Sequence, residues 1–104
     1  MSMSEARNLK EALKLAVESA EALVDLTPAN VYEALEAAPA ALEGLSEIPG
    51  EWESLTDETR EELVEYVEAE FDLDNDYAEA IAEQSFKTVM EGEKLIRIIR
   101  SAKQ

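Results

Sequence analysis

Four carboxylates in the last third of the chain have the spacing of a calcium-binding loop. If Asp72 is the first position, oxygen ligands at positions 1, 3, 5 and 12 are supplied by Asp72, Asp74, Asp76 and Glu83. The sixth position is Tyr77, where such a loop needs glycine for its sharp turn. We therefore expect these acids mainly to begin a helix, and we keep a divalent-cation site as the alternative.

A second set of carboxylates would lie along one face of a helix. They are spaced three or four residues apart: Glu58, Glu61, Glu65, Glu68 and Asp72. At about 100° per residue they fall within a stripe of about 80°, with neighbours roughly 5–6 Å apart. Such a stripe is either a solvated helix face or a surface for a basic partner. A nucleic-acid-binding protein, inhibited when the stripe fills its cationic groove, is one partner of that kind.

The C-terminal segment combines aliphatic and basic side chains. A helix over 75–102 would be about 42 Å long, whereas a domain of this size has a radius of gyration of about 13 Å. We therefore expect part of this helix to extend beyond the domain and to contact a second copy, with burial against the first helix as the alternative. The expected interface residues are Leu95, Ile96, Arg97, Ile98, Ile99 and Arg100.

The sequence lacks several of the residue types that enzymes use most often for catalysis. The chain contains no histidine and no cysteine, and so lacks the commonest general base and any thiol nucleophile. It also has no glycine-rich phosphate loop, and among 25 acidic residues some carboxylate pairs are expected by chance. We predict no enzymatic activity, no catalytic residue and no cofactor.

The charge balance narrows the choice of partners. Nine basic residues against 25 acidic ones give a net charge of −16, and residues 15–86 contain the single base Arg60. Nucleic acids and anionic membranes attract basic surfaces, so we expect neither as a direct partner. No apolar run approaches the length of a membrane span, and we expect a cytoplasmic or virion-associated protein.

Helical periodicity supplies the elements that position these residues. Thr27, followed by Pro28, and Thr56 have the character of helix N-caps. No alternation typical of strands occurs, so we predict an all-α fold: one domain over 1–104, a compact bundle of about four helices with a long C-terminal helix. The predicted helices lie near 4–26, 28–38, 57–72 and 75–102, with an irregular linker at 39–56 that contains a short helical piece at 39–45.

One region also resembles known proteins. The sequence IPGEW from Ile48, the helix LTDETREELVEYV and the following FDLDND are similar to small acidic helical proteins of prophage and mobile-element gene clusters. The resemblance implies a virion-assembly, regulatory or host-antagonist protein. Together these observations predict a non-enzymatic protein–protein interaction or assembly protein that associates with itself or with a basic protein.

Overall fold

Five α-helices make up most of residues 2–102, the part of the chain described by the structure, which is a computed structural model. Side chains are described from residue 5 onward, and this part of the chain contains no strand. The all-α prediction is confirmed, whereas the count of about four helices is wrong by one. The helices are α1 (Ser2–Ala20), α2 (Pro28–Glu36), α3 (Pro39–Leu45), α4 (Asp57–Phe71) and α5 (Asn75–Ala102), with 3₁₀ turns at Leu23–Asp25 and Trp52–Ser54.

The fifth helix is α3, which coincides with the short helical piece predicted at 39–45 within the linker. Pro39 stands in its first turn, where a missing N–H costs nothing. Leu42 and Leu45 on this helix are buried in the core. This segment is helical because proline fits its first turn and two leucines three residues apart pack against the rest of the protein.

Helix α1 ends six residues before its predicted end. Glu21 has φ of 73°, in the left-handed region that stops a helix, although it is not a glycine. The chain then turns so that Leu23 and Leu26 pack against the core. Val24, which would lie on the apolar face if the helix continued to residue 26 as predicted, is 91% exposed instead.

Two threonines begin helices as predicted. The Thr27 hydroxyl accepts a hydrogen bond from the Asn30 backbone N–H, and the Asn30 side chain accepts one from the Thr27 N–H. The Thr56 hydroxyl likewise accepts from the Thr59 N–H at 3.1 Å. Each cap satisfies backbone donors that have no partner inside the helix.

One hydrophobic core joins all five helices. Helix α5 packs against α2 and α4, while α1 packs against α2, α3 and α4. Phe86 of α5 is among the largest fully buried side chains, and the Trp52 ring lies 5.7 Å from it, tilted by 59°. Trp52 therefore covers one side of the core, and it anchors the otherwise irregular segment before α4.

Helix α5 is continuous through Gly92, where the sequence alone allowed a kink or a break. Its 28 residues correspond to about 42 Å. The molecule measures 44 × 30 × 19 Å, so the length of α5 is close to its longest dimension. Buried side chains occur on α5 from Ala78 to Ile96, whereas residues 97–102 are exposed or half-buried, so the expectation that part of the helix extends beyond the domain stays a prediction for its last turns.

Candidate functional site

A groove lies beside α4, between the Trp52–Ser54 turn and the first two turns of α5. Its volume is about 650 Å³, within the range of roughly 300–1,000 Å³ that is usual for ligand sites. We call it the acidic groove, because five carboxylates line it: Asp57, Glu61, Glu65, Glu68 and Glu79.

The acidic groove contains three of the five residues of the predicted stripe. Glu58 and Asp72 are both exposed but do not line it. Asp72 has φ of 53° and ends α4 in the left-handed conformation, so the helical spacing stops before it. Glu58 follows Asp57 by one residue and so points about 100° away from it around the helix.

Sequence reasoning missed the other two acids of the groove. Asp57 stands four residues before Glu61 and could have been assigned to the stripe from spacing alone. Glu79 belongs to α5, and nothing in the sequence indicates that this helix lies beside α4 at that point. Only the tertiary structure brings Glu79 to the groove.

The floor of the groove is apolar and well supported. Trp52 and Val64 line it and are both nearly buried. Arg60 holds this floor in place: its Nη1 donates hydrogen bonds to the carbonyl oxygens of Leu55 at 2.6 Å and Trp52 at 3.1 Å. Its Nη2 pairs with the Asp57 carboxylate. Arg60 therefore joins the 3₁₀ turn to α4 and neutralises one acid of the rim.

The charged residues of the groove sum to −4, since Arg60 offsets one of its five carboxylates. Two like charges about 6 Å apart repel by about 0.7 kcal/mol in water, before screening by salt. The rim thus holds unneutralised charge, and a cation placed among these carboxylates would relieve the repulsion.

The structure does not contain the calcium-binding loop that the sequence left as an alternative. Helix α5 begins at Asn75, and the Ala78 N–H donates a hydrogen bond to the Asp74 carbonyl at 2.7 Å. Asp76 and Glu83 are therefore helical, and the chain cannot curl around an ion with Asp72 and Asp74. In the described part of the chain, no group of three or more Asp or Glu residues is arranged to hold a metal ion.

The structure buries some residues of the predicted C-terminal interface and leaves others exposed. Ile96 is 1% exposed and belongs to the core, so it is not available to a second copy, whereas Ile99 is half-buried and its role at an interface stays a prediction. Helices α2 and α3, rather than α1 alone, cover this side of α5. Leu95 and Ile98 remain on the surface at 36% and 56% exposure.

The two arginines of this segment lie beside the buried aliphatics. Arg97 pairs through Nε with the carboxylate of Glu93, one turn earlier, which is itself buried. Arg100 is exposed at the edge of a second groove, whose apolar lining is Pro39, Leu42 and Ile96. Arg97 compensates the buried charge of Glu93 within one chain. If Arg97 paired with a partner instead, the Glu93 carboxylate would stay buried without a counter-charge.

Two tyrosines away from the groove titrate above their ordinary range. Partial burial raises the pKa of Tyr66, and the nearby carboxylates of Glu70, Glu18 and Glu11 raise it further. The pKa of Tyr32 is raised by the hydrogen bond that its hydroxyl donates to Glu36. Burial explains most of the Tyr66 shift and the hydrogen bond to Glu36 most of the Tyr32 shift, and neither indicates a reactive group.

Within residues 2–102, no helix has the length and apolar character to cross a membrane. In comparisons with known proteins, no protein-family model, curated protein or solved structure matches the chain.

Proposed function

We propose that this protein is a non-enzymatic interaction protein whose acidic groove binds a basic segment of a partner protein. The observation that carries the proposal is the combination of a carboxylate rim and an apolar floor in one concave surface. An assembly, regulatory or host-antagonist role, which the resemblance to prophage proteins implies, would use such a surface.

The groove offers contacts to both parts of an arginine or lysine side chain, the charged head and the aliphatic stem. Their charged heads pair with carboxylates, and arginine does so with two parallel hydrogen bonds. Their aliphatic stems can contact the edges of Trp52 and Val64 at the floor, which are small because these side chains are 8% and 7% exposed. A basic peptide segment would therefore gain mainly from charge, with a smaller contribution from apolar contact.

Mimicry of nucleic acid is a narrower form of the same proposal, and the charge spacing argues against it. From Glu58 to Asp72 the stripe has five charges over about 21 Å, or one per about 5 Å. Duplex DNA carries one charge per about 1.7 Å. We therefore favour a partner with a basic segment that fits the acidic groove, rather than a partner with a wide cationic surface that binds duplex DNA.

Titration with a labelled peptide of alternating arginine and alanine tests the proposal, with fluorescence anisotropy as the measurement. The double variant Glu61→Gln/Glu65→Gln removes two charges of the rim without changing side-chain size. Two charge-assisted contacts of about 0.7 kcal/mol each amount to about a tenfold loss of affinity. Trp52 is the only tryptophan in the chain, and its fluorescence should change when the groove is filled.

The matched control is Glu18→Gln/Glu33→Gln, which removes the same charge from exposed positions on α1 and α2. We expect this control to weaken peptide binding by less than about twofold, because distant surface charges are screened. An equal loss in both double variants would mean that the peptide responds to net charge alone, and the groove would not be a binding site.

A further inference from the structure

The outer side of α5 carries an exposed patch of opposite character to the acidic groove. Lys94, Leu95 and Ile98 lie within about 100° around the helix axis, and all three are exposed. We call these three residues the α5 patch. Residues 87–104 have a net charge of +3 in a chain whose total is −16. The α5 patch is therefore an aliphatic surface within a basic segment of an otherwise acidic chain.

The α5 patch and the acidic groove match in chemistry. The groove has a negative rim and an apolar floor, and the patch has a positive side chain next to two aliphatic ones. Ile98 is 56% exposed, so it has apolar surface to lose on docking. Opposite charges at an interface select the partner and set its orientation.

The two surfaces cannot meet within one chain. Glu79 of the groove and Leu95 of the patch belong to the same unbroken helix, about 24 Å apart along its axis. They also point about 160° apart around that axis. Because 24 Å exceeds the Debye length of about 8 Å at physiological salt, neither surface neutralises the other intramolecularly.

We propose that the α5 patch of one copy binds in the acidic groove of a second copy, head to tail. This inference rests on the proposed function, since it uses the same groove and names its basic partner as this chain itself. A contact between two different surfaces does not close as a two-fold dimer, and further copies can add to the free groove and the free patch. Self-association is therefore expected to rise steadily with concentration.

Two complementary variants test the direction of the contact. Lys94→Glu/Ile98→Ser removes the patch and retains the groove, while Glu61→Lys/Glu65→Lys reverses the groove and retains the patch. All four side chains are exposed, so both variants should keep the helical circular dichroism of the unmodified protein. Their masses are measured by sedimentation velocity at about 100 µM protein and about 0.15 M salt.

We expect each variant alone to be monomeric and their equimolar mixture to contain a species of twice the monomer mass, since one complete groove and one complete patch remain. The control Lys14→Glu/Val24→Ser makes the same chemical changes at exposed positions elsewhere and should associate like the unmodified protein. A mixture that stays monomeric overturns the inference. Self-association of Glu61→Lys/Glu65→Lys alone overturns it too, because patch would then pair with patch.

The arginine peptide separates this failure from failure of the proposed function. Lys94→Glu/Ile98→Ser has an intact groove and should bind the peptide with unchanged affinity. If it binds the peptide but not the other variant, the groove takes a basic segment and this chain is not its source. If it binds neither, both proposals fall.

Discussion

Replacing Gly92 by alanine should destabilise the protein, although helix propensity predicts the opposite. In an exposed helix interior, alanine is more favourable than glycine by about 1 kcal/mol. Gly92 is buried, however, and a Cβ built on it would lie 2.5 Å from the Cβ of Val31 and closer still to Val31 Cγ1. The Pro28 carbonyl oxygen would be 3.1 Å away. Neither neighbour has room to rotate aside, because Val31 is fully buried and the carbonyl belongs to the backbone of α2.

The expected size of the effect follows from these two opposing contributions. Extra methyl groups in a packed core cost about 1–3 kcal/mol, and two side-chain atoms inside the normal contact distance place Gly92→Ala in the upper part of that range. After the gain in propensity, a net loss of about 1–2 kcal/mol remains. For a domain of about 100 residues, this lowers the melting temperature by about 5–15 °C.

The assay is thermal unfolding followed by circular dichroism, with two control variants. Gly50→Ala places its Cβ in open space, with nothing within 4 Å, and should leave stability unchanged or raise it by about 0.4–1 kcal/mol. Ala80→Gly, at an exposed position on the same helix, should cost about 1 kcal/mol through propensity alone. A higher melting temperature for Gly92→Ala would refute the close approach of α2 to α5.

Three further predictions concern the core, the surface charge and pH. Ile96→Ala should cost about 2–5 kcal/mol in urea unfolding, whereas Ile98→Ala should change stability by less than about 0.5 kcal/mol, because only Ile96 is buried; equal effects would contradict the assigned faces of α5. Sodium chloride should raise the melting temperature, since 21 acids face one base in residues 15–86 and salt shortens the Debye length from about 10 Å at 0.1 M to about 3 Å at 1 M; a flat or falling curve would contradict net repulsion. The raised pKa of Tyr66 means that the folded state holds this proton more tightly than the unfolded state, so its contribution to stability is complete below about pH 10 and is lost as pH rises through the folded pKa. Tyr66→Phe should therefore flatten the alkaline loss of stability measured by urea unfolding, and an unchanged slope would show that other groups cause it.

The sequence was informative wherever a local pattern carries its own physical reason. Threonine followed by proline predicts the start of α2, because the hydroxyl caps the first turn and proline fits there. The spacing of Leu63, Val64 and Val67 likewise identifies the buried face of α4. The same helical spacing brought Glu61, Glu65 and Glu68 together on one side, and these three residues do line the groove.

Long-range packing decided what local patterns left open. Glu79 joins the groove because α5 lies beside α4, and α1 ends at Ala20, after which the chain turns and packs Leu23 and Leu26 against the core. Ile96 and Ile98 are indistinguishable by type and lie two residues apart, yet one is core and the other surface, according to where α2 and α3 cover α5. Helix formation depends on neighbours within one or two turns, which the sequence specifies directly. Which helix covers each buried face depends on elements distant along the chain, and only the assembled structure sets it.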